Sequence, residues 1–306
     1  MRNTSLAFAL SLLTSALGAQ NFVTNGDFSA GLTGWTLGGG YSTNPTVETF
    51  DVSGLGTSAC FACSPGGQVT PPPYAPNTLE QTITFIPVVE YELSADICTK
   101  NENTSSSANV DAGRIAVEIG GINVGNYNFQ IGTSGTSGNI TGQWVWRAKL
   151  GLRVSTSTGG AQPLTFKFER SYLSNTATPR VRMTNIQLRV AQSQPTISFG
   201  DNFRLNRTLA FQVKGTANAK YAIFAAPNLS TGPIQIPGIN GSLWLNPGTV
   251  IYFLGGTLDA SGFASTGLLV PFDPNLAAAP TFFQAIQVAG STATLGFHHY
   301  IVFTTN

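Results

Sequence analysis

Charge is what this sequence has least of. Only 9% of its 306 residues are Asp, Glu, Lys or Arg, and the formal net charge is +1. A chain so nearly neutral presents no field for a phosphate backbone or an anionic bilayer, so nucleic acid and an electrostatic membrane surface are excluded as partners. Histidine is rarer still: the only two are His298 and His299. Neighbours on a strand point to opposite faces, so these imidazoles are not expected to share a metal ion. No Gly-x-Ser-x-Gly elbow, P-loop or zincin motif is present.

Cysteine is limited to Cys60, Cys63 and Cys98. Three thiols are too few for a four-ligand zinc site without further ligands nearby. Cys60-x-x-Cys63 lies between Gly/Ser-rich and Pro-rich stretches, not at a helix start. One structural disulfide is the expectation, with the third thiol left over or paired between molecules. Also missing are an amphipathic helical period and, beyond the first residues, any apolar run long enough to cross a bilayer, so no membrane insertion is expected.

Glycine is abundant, with 34 residues, alongside 17 Pro and 20 Phe, and 42% of the chain is hydrophobic. That is enough apolar side chain to build cores, and the composition favours short strands and tight turns. Residues 1–19 read as a secretory signal: Met1-Arg2, an apolar stretch from Leu6 to Leu17, then Gly18-Ala19. The chain is therefore expected outside the cell. Asn103-Thr-Ser and Asn139-Ile-Thr are glycosylation triplets where the host modifies them.

Period-two alternation runs through the rest. Residues 79–97 give two strands broken at Pro87. Residues 113–131 give a hairpin turning at Gly120-Gly121, with Ile115, Val117 and Ile119 inward. Trp144 and Trp146 share parity with Leu150, Leu152 and Val154, which favours the core for both. Leu164, Phe166 and Phe168 point inward. Val181 and Met183 are out of step with Ile186, Leu188 and Val190, so a bulge is expected near Thr184-Asn185. Residues 191–195 read as a linker. Beyond it three sets are expected to share faces: Leu209, Phe211 and Val213; Val250, Tyr252 and Leu254; and Phe282, Gln284, Ile286 and Val288. The fold class is all-β, with two β-sandwich domains over 20–190 and 196–306.

The first region resembles the family 4/9 carbohydrate-binding modules on four ordered stretches. These are "NFVTNGDFSAGLTGW", "LEQTITFIPVVEYELSADI", "GQWVWRAKLGL" and "VRMTNIQLRV". The resemblance implies a galactose-binding-like jelly roll that binds a polysaccharide or glycan without catalysis. It also implies a structural calcium ion between the opening turn and the closing strand, held by a backbone oxygen near Gly26 and by Asp27 and Asn185. Ser29 stands where the family has Glu, and Thr184-Asn185 where it has an acidic pair, which weakens such a site. No other cofactor is implied. The second region is similar to an uncharacterised β-domain of secreted bacterial proteins.

Sugar recognition asks for an aromatic ring against C–H groups, with polar side chains around it. If Ile119 pairs with Ile122, Arg114 falls opposite Tyr127, and Tyr127, Phe129, Arg114 and Glu118 share an outer face. A bulge at Gly125 would instead return the rings to the core. Arg147 and Lys149 are expected either to border this platform or to stand as solvated charges, and Tyr41 and Tyr74 are further ring candidates in loops. No local motif pairs two carboxylates as glycoside hydrolysis requires; Glu118 and Glu169 are on strands that need not adjoin. A non-catalytic protein is expected. The other readings are a structural or adhesive protein with a cell-surface partner and, after it, an accessory part of glycoside hydrolysis.

Overall fold

The computed structural model describes residues 20–39, 45–64, 76–101, 111–130, 145–155, 158–169, 179–191, 194–199, 205–273, 276 and 280–302, without the side chains of 101, 111–113, 127–130, 145, 146, 179 and 302. These residues form twenty strands. In the first region they are β1 (Thr36–Gly38), β2 (Thr46–Phe50), β3 (Ser58–Cys63), β4 (Asn77–Phe85), β5 (Glu90–Asn101), β6 (Asp111–Ile119), β7 (Ile122–Gln130), β8 (Val145–Ser155), β9 (Gly160–Glu169) and β10 (Pro179–Val190). In the second they are β11 (Thr196–Phe199), β12 (Thr208–Lys214), β13 (Lys220–Ala226), β14 (Leu229–Gln235), β15 (Ile239–Asn240), β16 (Ser242–Leu245), β17 (Ile251–Thr257), β18 (Phe263–Leu269), β19 (Pro280–Ala289) and β20 (Thr292–Val302).

The protein is all-β. A five-stranded sheet in the order β1-β4-β9-β6-β7 faces the strands β8-β5-β10-β3-β2. Alternation places Leu79, Ile83, Ile115, Val117, Leu164, Phe166 and Phe168 inward from the first sheet, and Leu93, Ala95, Ile97, Leu150 and Met183 from the second, all buried. Burying each larger side chain contributes about 1.5–3 kcal/mol. The Gly120-Gly121 turn has φ of 58° and 82°, the left-handed pair that a two-residue hairpin needs. The expected bulge is found: the β10–β5 register shifts between Thr184 and Gln187.

The opening stretch is structural. Val23, Phe28 and Trp35 are buried, and the last two rings stack with centroids 5.6 Å apart. Asn25, at φ 51°, holds the loop together. Its amide donates to Gly31 O (2.9 Å) and Thr33 O (3.0 Å) and accepts from Ala30 N (3.0 Å), while its carbonyl receives Trp35 Nε1 (3.1 Å). Gly26 must be glycine, because a Cβ there would lie 2.1 Å from Ile186 O.

In the second region, β11-β12-β18 packs against β17-β13-β19-β20. Phe199, Phe211, Phe253 and Phe283 fill the space between them, with centroid distances of 5.2–5.5 Å. Leu209, Phe211 and Val213 are inward as expected. Tyr252 is not; it is exposed while Phe253 packs inward, because the β13–β17 register slips between Ile223 and Phe224. Phe282, Gln284, Ile286 and Val288 share a face as expected, β19 keeping its register against β13; β16 covers Phe282 and Gln284 on that face, whereas Val288 is exposed.

The two sandwiches share a sheet. Ile301 of β20 pairs with Ala148 of β8, so the second strand layer of the first sandwich continues into the second, making ten strands with β15. The ends of 191–195 are anchored: Ala191 N donates to Glu90 O (2.7 Å), and Arg153 donates to Gln194 O (2.5 Å).

The expected disulfide is absent, since all three cysteines are free and buried. The strand period explains it: Cys60 and Cys63, three apart, point to opposite faces of β3. Cys98, on β5, is separated from β3 by β10, so Cys60 and Cys98 are two strand spacings apart, about 9.5 Å. A disulfide needs Cα atoms within about 7 Å.

Candidate functional site

Residues directly opposite one another in an antiparallel sheet project to the same side. On the outer side of the five-stranded sheet this builds three polar rows. One runs Thr36, Glu80, Thr165, Glu118, Asn123. The next runs Gly38, Thr78, Lys167, Ala116, Asn126, and the third pairs Glu169 with Arg114.

The side chains of these rows hold one another. Lys167 Nζ lies 2.6 Å from Glu118 Oε1, across Ala116, and Arg114 Nε donates to Glu169 Oε2 at 2.7 Å. Thr165 Oγ1 donates to Glu80 (3.0 Å), and Asn123 donates to Asn126 Oδ1 (3.0 Å). Ala116 is buried beneath its long neighbours, whereas Arg114, Asn123 and Asn126 are exposed. Sequence reasoning found Arg114 and Glu118 but missed Glu80, Thr165, Lys167, Asn123 and Asn126. Their outward parity was readable, but which strands adjoin was not. Glu169 and Glu118 do lie on neighbouring strands, contrary to the caution in the sequence reading.

The aromatic half of the expected platform is corrected by the register. The β6–β7 pairing shifts between Val117 and Glu118, so Tyr127 stands opposite buried Ile115 and Asn128 opposite Arg114. The unpaired extra residue is Val124; beside it, Gly125 faces the Leu152 side chain, whose methyl a Cβ would meet at 2.7 Å. The side chains of Tyr127 and Phe129 lie outside the described residues, as do Tyr41, Tyr74, Trp144 and the Trp146 side chain.

Arg147 and Lys149 do not border this face. They project from β8 on the opposite side of the sandwich, out of step with buried Ala148 and Leu150. Arg147 donates to Asp51 O from Nε (3.1 Å) and Nη2 (3.0 Å), fastening the loop after β2. Lys149 Nζ lies 3.8 Å from Asp96 Oδ1 in a buried polar junction between the sandwiches. Asp96 also accepts from Asn185 (2.7 Å) and Tyr300 (3.2 Å). Burial pushes the nearby Glu92 carboxyl up to about 7, against the pull of Arg153 and Lys149. Burial holds His298 down to about 4 and His299 well below its usual 6.5, with Lys149 adding to both. His298 faces Trp244 and His299 faces Phe199, so the adjacent imidazoles serve different surroundings.

The calcium donors do not fit. Asp27 accepts from Ser29 N (3.2 Å) and Oγ (3.0 Å), which holds its carboxyl below the usual range. Asn185 turns its amide to Asp96, and Gly26 O accepts Ile186 N at 3.0 Å. One carboxylate is a poor share of the six to eight oxygens calcium takes. Among the described residues, no three His, Cys, Asp or Glu side chains gather as a metal site.

No family model and no curated protein matches the chain. Solved structures that are similar include carbohydrate-binding modules. TmCBM61 in complex with β-1,4-galactotriose is 13% identical, over 56% of this chain and 100% of its own, with a TM-score of 0.34. The CBM22-1–CBM22-2 tandem of Paenibacillus barcinonensis Xyn10C is 12% identical over 94% and 99%, with a TM-score of 0.33. The enzymatically active domain of bacteriophage CBA120 tailspike protein 4 is 17% identical over 56% of this chain, also at 0.33, and the chain spans 21% of its length. The modules named are of families 61 and 22, not 4/9. At these TM-scores the likeness does not fix the function.

Proposed function

We propose that this chain is a secreted, non-catalytic glycan-binding protein whose recognition surface is the outer side of the five-stranded sheet. The carrying observation is the set of three rows, in which amide, carboxylate, guanidinium and ammonium groups are fixed on a rigid sheet around Ala116. Planar polar side chains prearranged in this way suit the paired hydroxyls of a sugar, and prearrangement lowers the ordering cost of binding. Rings for the C–H face would come from Tyr41 and Tyr74. They are close in sequence to Gly38 and Thr78, which pair at the β1 edge of the same sheet. Among the described side chains of this face, Glu80, Glu118 and Glu169 are already engaged by Thr165, Lys167 and Arg114, which disfavours a free acid–base pair.

Affinity electrophoresis against a panel of soluble polysaccharides tests the reading. Retardation by at least one polymer, weakened in Asn126→Ala and Glu118→Gln but not in the remote Lys220→Ala, is the expected result. No retardation by any polymer overturns it, and release of reducing sugar overturns its non-catalytic part. A structural or adhesive role is the second reading, favoured by the way Arg114 and Lys167 are spent on the sheet's own carboxylates. Capture of a cell-surface protein, undiminished by sugars, would support it.

A further inference from the structure

Two patches of the second sandwich expose apolar side chains that a monomer gains nothing by showing. Leu269 and Phe272 are 61% and 67% exposed, at the end of the edge strand β18. Ile251 and Tyr252 are 60% and 64% exposed, at the start of the edge strand β17. Each patch lies beside an exposed asparagine in an Asn-x-Ser/Thr triplet. Asn206-Arg207-Thr208 adjoins the first: Asn206 N donates to Val270 O (2.9 Å), and Thr208 pairs with Leu269. Asn228-Leu229-Ser230 adjoins the second: Asn228 Oδ1 accepts from Thr249 Oγ1 (2.8 Å), two residues before Ile251.

We propose that Asn206 and Asn228 are acceptor sites that take N-linked glycans wherever the chain is exported through a glycosylating compartment, and that glycans there cover the two patches. In both triplets the acceptor nitrogen Nδ2 makes no hydrogen bond among the described residues, and both asparagines are exposed. The asparagine of such a triplet accepts a bulky, solubilising oligosaccharide when the chain is exported through a compartment that glycosylates. The transfer is balanced with a lipid-diphosphate-linked oligosaccharide as donor. Nδ2 forms a bond to the sugar's C1 as the C1–O bond to phosphate breaks. The lipid diphosphate leaves with the bonding electrons, and the amide proton passes to a base of the transferase. Asn240-Gly241-Ser242 is a third exposed triplet in this region, without an exposed apolar neighbour in its strand pair with β20.

The proposal rests on export, as in the reading above, and not on sugar recognition. The test expresses the full chain in a eukaryotic secretory host and assays medium and cells separately. Peptides are treated with the amidase that releases N-glycans, which turns a glycosylated asparagine into aspartate, and are read by mass spectrometry site by site. Conversion at 206 and 228 is expected, with loss of the matching glycopeptide in Asn206→Gln, Asn228→Gln and the milder Thr208→Ala. The enzymatically deglycosylated protein should bind more of a hydrophobic dye. Unmodified Asn206 and Asn228 in protein from the medium overturn the proposal, and unchanged dye binding overturns the covering role. Retention inside the cell counts against export instead; the same peptides from the chain behind a heterologous leader then decide the glycan question.

Discussion

Tyr300 donates its hydroxyl to Oδ1 of Asp96 at 3.2 Å, joining groups 204 positions apart in the chain. Both residues are buried, and the bond passes from β20 of the second sandwich to β5 of the first, across β8. A polar contact at this place makes the shared sheet specific, because it joins buried groups of the two sandwiches.

Replacing that hydroxyl should therefore weaken both sandwiches together. Tyr300→Phe keeps the ring against Phe282 and leaves one lone pair of Asp96 unanswered, costing about 1–2 kcal/mol. Urea unfolding followed by tryptophan fluorescence and by circular dichroism should give a single coincident transition, shifted to lower denaturant. Two separate transitions would show that the sandwiches unfold independently.

Glu92 should make the protein less stable as pH rises. Its folded carboxyl, raised by burial to about 7, keeps a proton that the unfolded chain releases near 4.5. The folded state then binds more protons between these values, so stability is highest below 4.5 and falls as pH rises through 7. Glu92→Gln removes this loss. Its gain, on the order of 1–3 kcal/mol, should be seen above pH 7 and vanish below pH 4.5 in denaturation measured across pH.

His299 works in the opposite sense. Burial holds its folded pKa far below 6.5, and neither ring nitrogen has a hydrogen-bond partner. Its contribution is present above pH 6.5 and is lost as pH falls below that value, where only the unfolded chain takes up the proton. His299→Leu should raise the thermal midpoint at pH 5 more than at pH 8. An equal shift at both would mean that the gain came from packing alone.

Asn25→Ala should cost about 2–3 kcal/mol. It removes three side-chain hydrogen bonds and places alanine at a left-handed φ of 51°. Loss of near-ultraviolet signal from Trp35 before global unfolding would mark the opening loop as the part released.

Chelation should leave the protein unchanged. With Asp27 bound to Ser29 and Asn185 bound to Asp96, EDTA is expected to leave the thermal midpoint where it was. A fall reversed by calcium would reinstate the ion implied by the resemblance.

Much of the fold was readable because side-chain parity is a local property. The inward residues of β4, β6 and β9, the Gly120-Gly121 turn and the bulge after Thr184 all follow from period two and turn chemistry. Parity fails wherever one extra residue slips in. Val124 and Phe253 are such residues, and each reverses the side chains beyond it. Next to Val124, Gly125 faces Leu152 on a strand from the opposite sheet, a neighbour that no local window contains. The candidate site was half legible for the same reason. Arg114 and Glu118 could be placed on an outer face, but Lys167 and Glu80 join them only once β9 is known to lie between β4 and β6.

The unbridged cysteines have a practical consequence. With Cys60, Cys63 and Cys98 all buried and single, dithiothreitol should be a bystander, and a bacterial cytoplasm should yield the same fold as an oxidising secretory route. Whatever resilience the protein shows outside a cell then comes from apolar packing and from one long sheet stitched through both halves, with no covalent staple to break.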